Sequence, residues 1–275
     1  MENNGKINPQ NLGQFRLLSE SLTELDELKK IFEELCSKIA KQYSLYYENG
    51  KPRKSTLIET IARSPCLTCI TKSFSNKTAT KNVDSLYKEC HRLAVNVLVE
   101  ELYRLLNTMG YKVLISAEAE LEYGKADILI TVTNYGLNLK GETRELLIEV
   151  KTGNSVSLTQ IFRYLLDFRS DTIIVWRIRK RQVLVFNAQK IKPLLAEFMR
   201  IICLRADRLL SSQRIQPCQH TKQSNYQPSQ EELEKMFEEF SSALIETLPT
   251  ILQTTLEQLE IVIPSEQGEN CEREK

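Results

Sequence analysis

The sequence has no apolar run long enough to span a bilayer, which argues against a helical membrane protein. Its first residues, Met1 to Gln14, are polar and lack the apolar core of a secretory leader. Net charge is also missing: 37 Lys and Arg against 36 Asp and Glu leave +1 over 275 residues, so the composition as a whole does not announce a polyanionic partner. The seven cysteines are odd in number and irregularly spaced. That argues against a secreted disulfide framework and for thiols kept in a reducing compartment. There is no zinc-finger spacing, no helix-turn-helix pattern and no internal repeat. Apolar residues make up 41%, slightly low for a compact domain, so part of the chain is expected outside the core. These absences describe a soluble, cytoplasmic protein with no membrane role.

Charge is present, but it is segregated. From Arg177 to Lys222 there are eleven Lys and Arg and two acids; from Ser229 to the end there are twelve acids and three bases. A basic middle and an acidic tail cancel in the total and can hide a phosphate-binding face.

Periodicity supplies the elements. Residues 15 to 47 read as helix, with Leu18, Leu22, Leu25, Phe32, Leu35 and Ile39 at spacings of three, four and seven, and with Ser21 and Glu24 as a capping box. Residues 51 to 82 are basic, polar and poor in pattern. A long helix is expected from Asp84 to Met109, stopped by Gly110. Strands follow at Lys112–Ser116, Asp127–Thr133 and Glu145–Val150, the last two as a hairpin. Residues 157 to 169 are helical. Thr172–Ile178 and Gln182–Phe186 are strands around the basic turn Arg179-Lys180-Arg181, and Pro193–Leu210 is helix. Ser211 to Gln227 reads as a polar linker. Ser229 with Glu232 opens a last helix that Pro249 ends or kinks. The order predicts an α/β fold: a mixed central sheet flanked by helices, with helical additions at both ends. The divisions are a helical N-terminal extension over 1–83, a core over 84–210, a linker over 211–228 and an acidic helical tail over 229–275.

The third strand carries the chemistry. Leu146, Leu147, Ile148 and Val150 mark it as central and buried, yet Glu149 and Lys151 stand in it, two residues apart and so on one face. Charges seldom occupy such a strand unless they are paired or bind an ion. A bare Glu-x-Lys is ordinarily a strand-end ion pair. Here Asp127 opens the preceding strand after Gly124-Lys125, and a hairpin would bring it to Glu149. Two convergent carboxylates are hard oxygen ligands suited to Mg²⁺ or Mn²⁺. A lysine beside them can orient or deprotonate a water, or neutralise charge on a phosphate.

GKADILI (Gly124 to Ile130) and LIEVKTG (Leu147 to Gly153) resemble the two core motifs of the PD-(D/E)XK nuclease superfamily. Gln160-Ile161-Phe162-Arg163-Tyr164 resembles the Q-x-x-x-Y motif of its RecB-like branch, which includes CRISPR-associated exonucleases; Holliday junction resolvases are the second choice. The likeness covers about residues 84 to 188. It implies a restriction-endonuclease-like core and a metal-dependent deoxyribonuclease acting by metal-activated water attack. It further implies Asp127 and Glu149 as metal ligands, His91 as a third, Lys151 as the catalytic lysine, and Gln160 and Tyr164 as supports of the site. Ala126 stands where the family has proline, and the segment between Asp127 and Glu149 is longer than a tight hairpin needs.

Rivals to His91 as helical ligand are Glu89, Glu100 and Glu101; Glu118, Glu120 and Glu122 read as a solvated strand face. The iron–sulfur branch needs a compact C-terminal cysteine trio. This chain offers Cys66 or Cys69 upstream and only Cys203 and Cys218 downstream, so no cluster is expected. Arg163, Arg177, Arg179, Lys180 and Arg181 are the expected nucleic-acid contacts, with single-stranded or branched DNA both open as substrate. The alternative is a catalytically inactive nucleic-acid-binding or oligomeric module on a nuclease fold. The amphipathic helices at 17–39 and 229–248 motivate the oligomer. The acidic tail could fold over the basic surface and compete with DNA.

Overall fold

The computed structural model describes residues 9–45, 54–64, 66–75, 83–133, 143–153, 156–167, 170, 172–211 and 229–261. In chain order these form α1 (Pro9–Tyr43), α2 (Lys54–Arg63), α3 (Leu67–Ser75), α4 (Val83–Thr108), β1 (Lys112–Glu120), β2 (Lys125–Thr133), β3 (Thr143–Lys151), α5 (Leu158–Leu166), β4 (Thr172–Arg177), β5 (Gln182–Asn187), α6 (Ala188–Ser211) and α7 (Gln230–Gln258). A 3-10 turn at Ile178–Lys180 joins β4 to β5. The fold is α/β: one five-stranded mixed sheet in the order β1-β2-β3-β4-β5, flanked by helices. The first three strands form an antiparallel meander, and β5 pairs antiparallel with β4. β3 and β4 are parallel, which requires a crossover, and α5 supplies it.

Alternation along the strands builds two layers. Leu147, Ile173 and Val175 face α1, α2, α3, α5 and α6. Ile128, Ile130, Leu146, Ile148, Val150, Ile174 and Trp176 face α4 and α7. Helical spacing does the rest. In α6 the buried residues Leu195, Met199, Ile202, Ala206 and Leu209 recur every three or four positions and pack on Phe32, Cys36 and Ile39 of α1. On the far side Phe240, Leu244 and Ile251 of α7 lie in the second core, and Trp176 Nε1 donates to Thr247 Oγ1 at 2.9 Å to pin that helix to β4. Leu25, Phe32, Leu35 and Ile39 of α1 and Phe240, Leu244 and Ile251 of α7 are thus buried within the chain itself, while Phe237 of α7 is exposed. No described helix is long and apolar enough to cross a membrane.

Several sequence expectations change. α1 runs straight through Ser21 and Glu24, so that pair does not start a helix. The stretch that read as patternless contains α2 and α3, with Leu57, Ile58, Ile61, Ile70 and Phe74 in the core. Pro249 neither ends nor breaks α7, which continues to Gln258. The residue four positions earlier, Ile245, is 73% exposed, so water can satisfy the carbonyl that proline leaves without a donor. The Ser229–Glu232 capping box forms as expected, with both reciprocal bonds made. Gly110, at φ 80°, ends α4. The turn of the β2–β3 hairpin and the linker after Ser211 lie outside the described residues.

Candidate active site

The site forms where β2 and β3 part. Their ladder begins at Thr133–Thr143 and stops at Ile128–Ile148. Asp127 and Glu149 come next, as the hairpin reading expects. The ladder on the other side of β2 is interrupted at the same level: Ala117 pairs with Ile128 and Ala119 with Ala126, while Glu118 and Asp127 do not pair. Glu118 has φ 53°, a left-handed conformation that costs a non-glycine residue about 1 kcal/mol or more. On either side of this break the strand changes face, because Ile128 packs in the α4 layer and Ala126 in the opposite one. Asp127 is thereby released from the ladder. Its Oδ2 accepts the Val150 N–H at 2.7 Å, and its Oδ1 lies 3.0 Å from His91 Nε2 on α4.

Glu149 points to the other face, toward α5, and is 2% exposed. Its charge is met by a closed network. Oε1 accepts Lys151 Nζ at 2.5 Å and Gln160 Nε2 at 2.6 Å, and Gln160 Oε1 accepts Lys151 Nζ at 2.7 Å. The Tyr164 hydroxyl accepts from Gln160 Nε2 at 2.6 Å. It can donate to Glu149 Oε2 at 2.5 Å or to the Lys125 carbonyl at 2.9 Å. Gln160 and Tyr164 reach the same carboxylate because they lie one helical turn apart on α5. Gly124 makes room for this tyrosine: a Cβ there would stand 3.0 Å from its Cε1.

Electrostatics follow from this burial. Desolvation, aided by the Asp127 charge, pushes the Glu149 carboxyl up to about 7 against the pull of Lys151. The hydrogen bond to Asp127 raises His91 despite its burial. Burial and the Glu149 charge push the Tyr164 phenol upward, so it stays a donor. The lysine side chain is 21% exposed and the glutamate 3%, so Lys151 is the member of the pair that meets solvent.

An open cleft of about 810 Å³ runs beside the site between α4 and β1 and reaches His91 and Thr152. Its residues Tyr87, Lys88 and Arg92 were not singled out in the sequence. The signal was there in the i, i+4 spacing of Lys88 and Arg92 around His91, but basic pairs on solvated helices are common.

The expected nucleic-acid contacts are placed differently from one another. Arg163 turns inward: it is 11% exposed, 3.2 Å from Glu59 of α2, and donates to the Tyr123 carbonyl at 3.3 Å. It therefore ties α5 to α2. Arg177 donates to Gln182 at 2.9 Å. Arg179 lies 3.6 Å from Glu239, and Arg181 pairs with Glu246, both acids on α7. Lys180 is exposed. The acidic segment does meet the basic turn, through α7. Among the rivals of His91, Glu101 pairs with Arg104, Glu89 lines a groove with α7, and Glu100 is exposed. Glu118 binds Lys125 at 2.6 Å and Glu122 binds Lys54 at 2.6 Å.

Among the described residues no three His, Cys, Asp or Glu side chains gather in a form that could hold a metal. Cys36, Cys90 and Cys203 are buried, and Cys218 lies outside the described residues. The donor chemistry at Asp127 and Glu149 still suits a small hard cation. Mg²⁺ commonly keeps several waters and takes one or two carboxylates plus substrate phosphate, not a full protein cage. No protein-family model, curated protein or solved structure matches the chain.

Proposed function

We propose that this chain is a Mg²⁺- or Mn²⁺-dependent deoxyribonuclease on a restriction-endonuclease-like core, akin to the RecB-like branch of the PD-(D/E)XK superfamily. One observation carries the reading: a 2%-exposed glutamate in a central strand shares its lysine with a glutamine, beside an aspartate released from the ladder. Any buried carboxylate needs bonds such as those from Gln160 and Tyr164, but a structural ion pair would not need the strained Glu118 opposite Asp127.

Asp127 and Glu149 would hold the cation, and His91 orients Asp127 or joins as a ligand by giving up its 3.0 Å bond. When bound, the cation lowers the pKa of water and offsets charge on the phosphate. Lys151, fixed by Glu149 and Gln160, presents its ammonium at the solvent side of the site to position water or neutralise the phosphate oxygens. Tyr164 keeps Glu149 in place by donating to Oε2 when the carboxylate is ionised, and can turn to the Lys125 carbonyl when it is not.

The test is digestion of labelled linear, circular and branched DNA with added Mg²⁺ or Mn²⁺. Cleavage by the wild type, lost in Glu149→Ala, Lys151→Ala and Asp127→Ala, is expected. Wild-type rates in either of the first two would overturn the proposal.

A further inference from the structure

The acids of α7 fall into two sets. Glu239 and Glu246 meet Arg179 and Arg181. Glu234 and Glu238 stand one turn apart on a different face, and with Glu89 of α4 they rim an open groove of about 530 Å³ between the two helices. Among the described residues none of these three acids is ion-paired, and no lysine or arginine lines the groove. Glu234 accepts the neutral amide of Gln230 at 3.0 Å. The floor is apolar, made by Leu86 of α4 with Leu233 and Phe237 of α7.

Phe237 is 42% exposed, whereas Phe240 on the same helix is buried. Leu93, two turns beyond Leu86 on the same side of α4, is 40% exposed and extends the apolar line. Single exposed leucines are ordinary, but a phenylalanine set between leucines of two helices makes a continuous strip of the kind that marks an interaction site. A small molecule in an open groove would keep much of its surface in water, whereas ligand pockets bury about 70–90% of theirs. Two helical walls and an apolar floor suit a third helix laid down by its apolar face. The acids on the rim then select its polar face, favouring lysine and arginine and repelling carboxylates. Two copies of this groove meeting across a two-fold axis would set Glu89, Glu234 and Glu238 against the same acids, so the groove does not complement itself.

We propose that the α4–α7 groove docks a basic amphipathic helix of a partner protein, with apolar residues of that helix on Leu233 and Phe237 and its lysines or arginines against Glu89, Glu234 and Glu238. This goes beyond the nuclease reading and does not rest on it. The probe is a labelled synthetic peptide of leucine and lysine, about 18 residues or roughly five turns long, with the leucines along one face. One control has the same residues in an order that forms no face, and a second has glutamate in place of lysine. Binding to the full chain is read by fluorescence anisotropy across a salt series.

The wild type should bind the amphipathic leucine–lysine peptide about tenfold or more tightly than either control. Phe237→Ser should weaken that binding roughly tenfold, and Phe237→Leu much less. Glu89→Gln with Glu234→Gln and Glu238→Gln should weaken it to a similar extent and flatten its salt dependence. Lysine at the same three positions should transfer the preference to the leucine–glutamate peptide. All these side chains are exposed or lie at the groove, so thermal melts of the variants should stay near the wild type. No binding by the wild type, equal binding of the faceless peptide, or binding unchanged in Phe237→Ser or in the glutamine variant would overturn the assignment. So would self-association of the chain that Phe237→Ser abolishes, because a second copy would then be the occupant.

Discussion

Asp127 Oδ2 accepts the Val150 N–H at 2.7 Å, just past the last ladder pair between their strands. A side chain thus makes the bond that backbone pairing no longer supplies, and the same carboxylate reaches His91 with its other oxygen. Structure and proposed chemistry meet in one group, so a variant that separates them is informative. Asp127→Asn keeps an oxygen for Val150 and should lose cleavage with little loss of stability. Asp127→Ala leaves the amide without its acceptor and should cost about 1–3 kcal/mol as well. Urea unfolding beside the DNA digestion reads both; equal stability in the two variants would show that the Val150 bond contributes nothing.

Glu149 makes stability depend on pH. Its folded carboxyl titrates near 7 against 4.5 in the unfolded chain, so across that window the folded state holds a proton that the unfolded state has released. Stability should therefore fall as pH rises through the window, by about 3 kcal/mol at most, and level off above it. His91, also raised, adds a loss in the same direction, but only above its unfolded value of 6.5. Urea midpoints without divalent ions should show a decline below 6.5 that Glu149→Gln removes. A decline that survives in that variant would assign it to another group.

Much of this site was legible because its parts are local. Glu149 and Lys151 are separated by the strand period, and Gln160 and Tyr164 by a helical turn. Asp127 joined them through a hairpin whose outer boundaries were plain. The inward turn of Arg163 was not legible, because nothing local says which way an arginine on an amphipathic helix turns; its partner Glu59 lies on α2, in a basic stretch where three buried aliphatic residues were too few to show a period. The reach of α1 past Ser21 was hidden for a related reason. A capping-box pattern states that a helix can begin there, and tertiary packing decides whether it does.

Gly124 should resist even the smallest side chain. An added Cβ would press on Tyr164, whose hydroxyl is tied to Gln160, Glu149 and the Lys125 carbonyl and cannot withdraw freely. Gly124→Ala should cost about 1–3 kcal/mol by overpacking. It should also reduce cleavage more than DNA binding, since Tyr164 positions Glu149. Adding Tyr164→Phe, which frees the ring, should recover part of the stability. No recovery in the thermal melt would place the strain elsewhere.

Arg163 gives a test that separates an internal tie from a phosphate contact. Arg163→Ala removes one of the two arginines that meet Glu59, leaving Arg63 at 2.9 Å, and loosens α5, which carries Gln160 and Tyr164. Stability should drop by about 1–3 kcal/mol and cleavage should fall. The salt dependence of DNA binding should stay at the wild-type slope, because no phosphate contact is lost. A slope lowered by about one would return Arg163 to the nucleic-acid interface.

The acids of α7 set the charge of the β4–β5 turn. Glu239 lies 3.6 Å from Arg179, and Glu246 pairs with Arg181 through two hydrogen bonds. Deleting the segment is no clean test, since Phe240, Leu244 and Ile251 of the same helix belong to the core. Glu239→Gln with Glu246→Gln removes the charge and keeps the packing. The pairs are exposed, so the melt should barely move. Arg179 and Arg181 would then be open to phosphates, and duplex DNA should bind more tightly at low salt, with a salt slope steeper by up to about two. An unchanged affinity would mean that the turn lies off the DNA path and that its arginines serve only to seat α7. Binding weaker than wild type would count against any masking role for these acids.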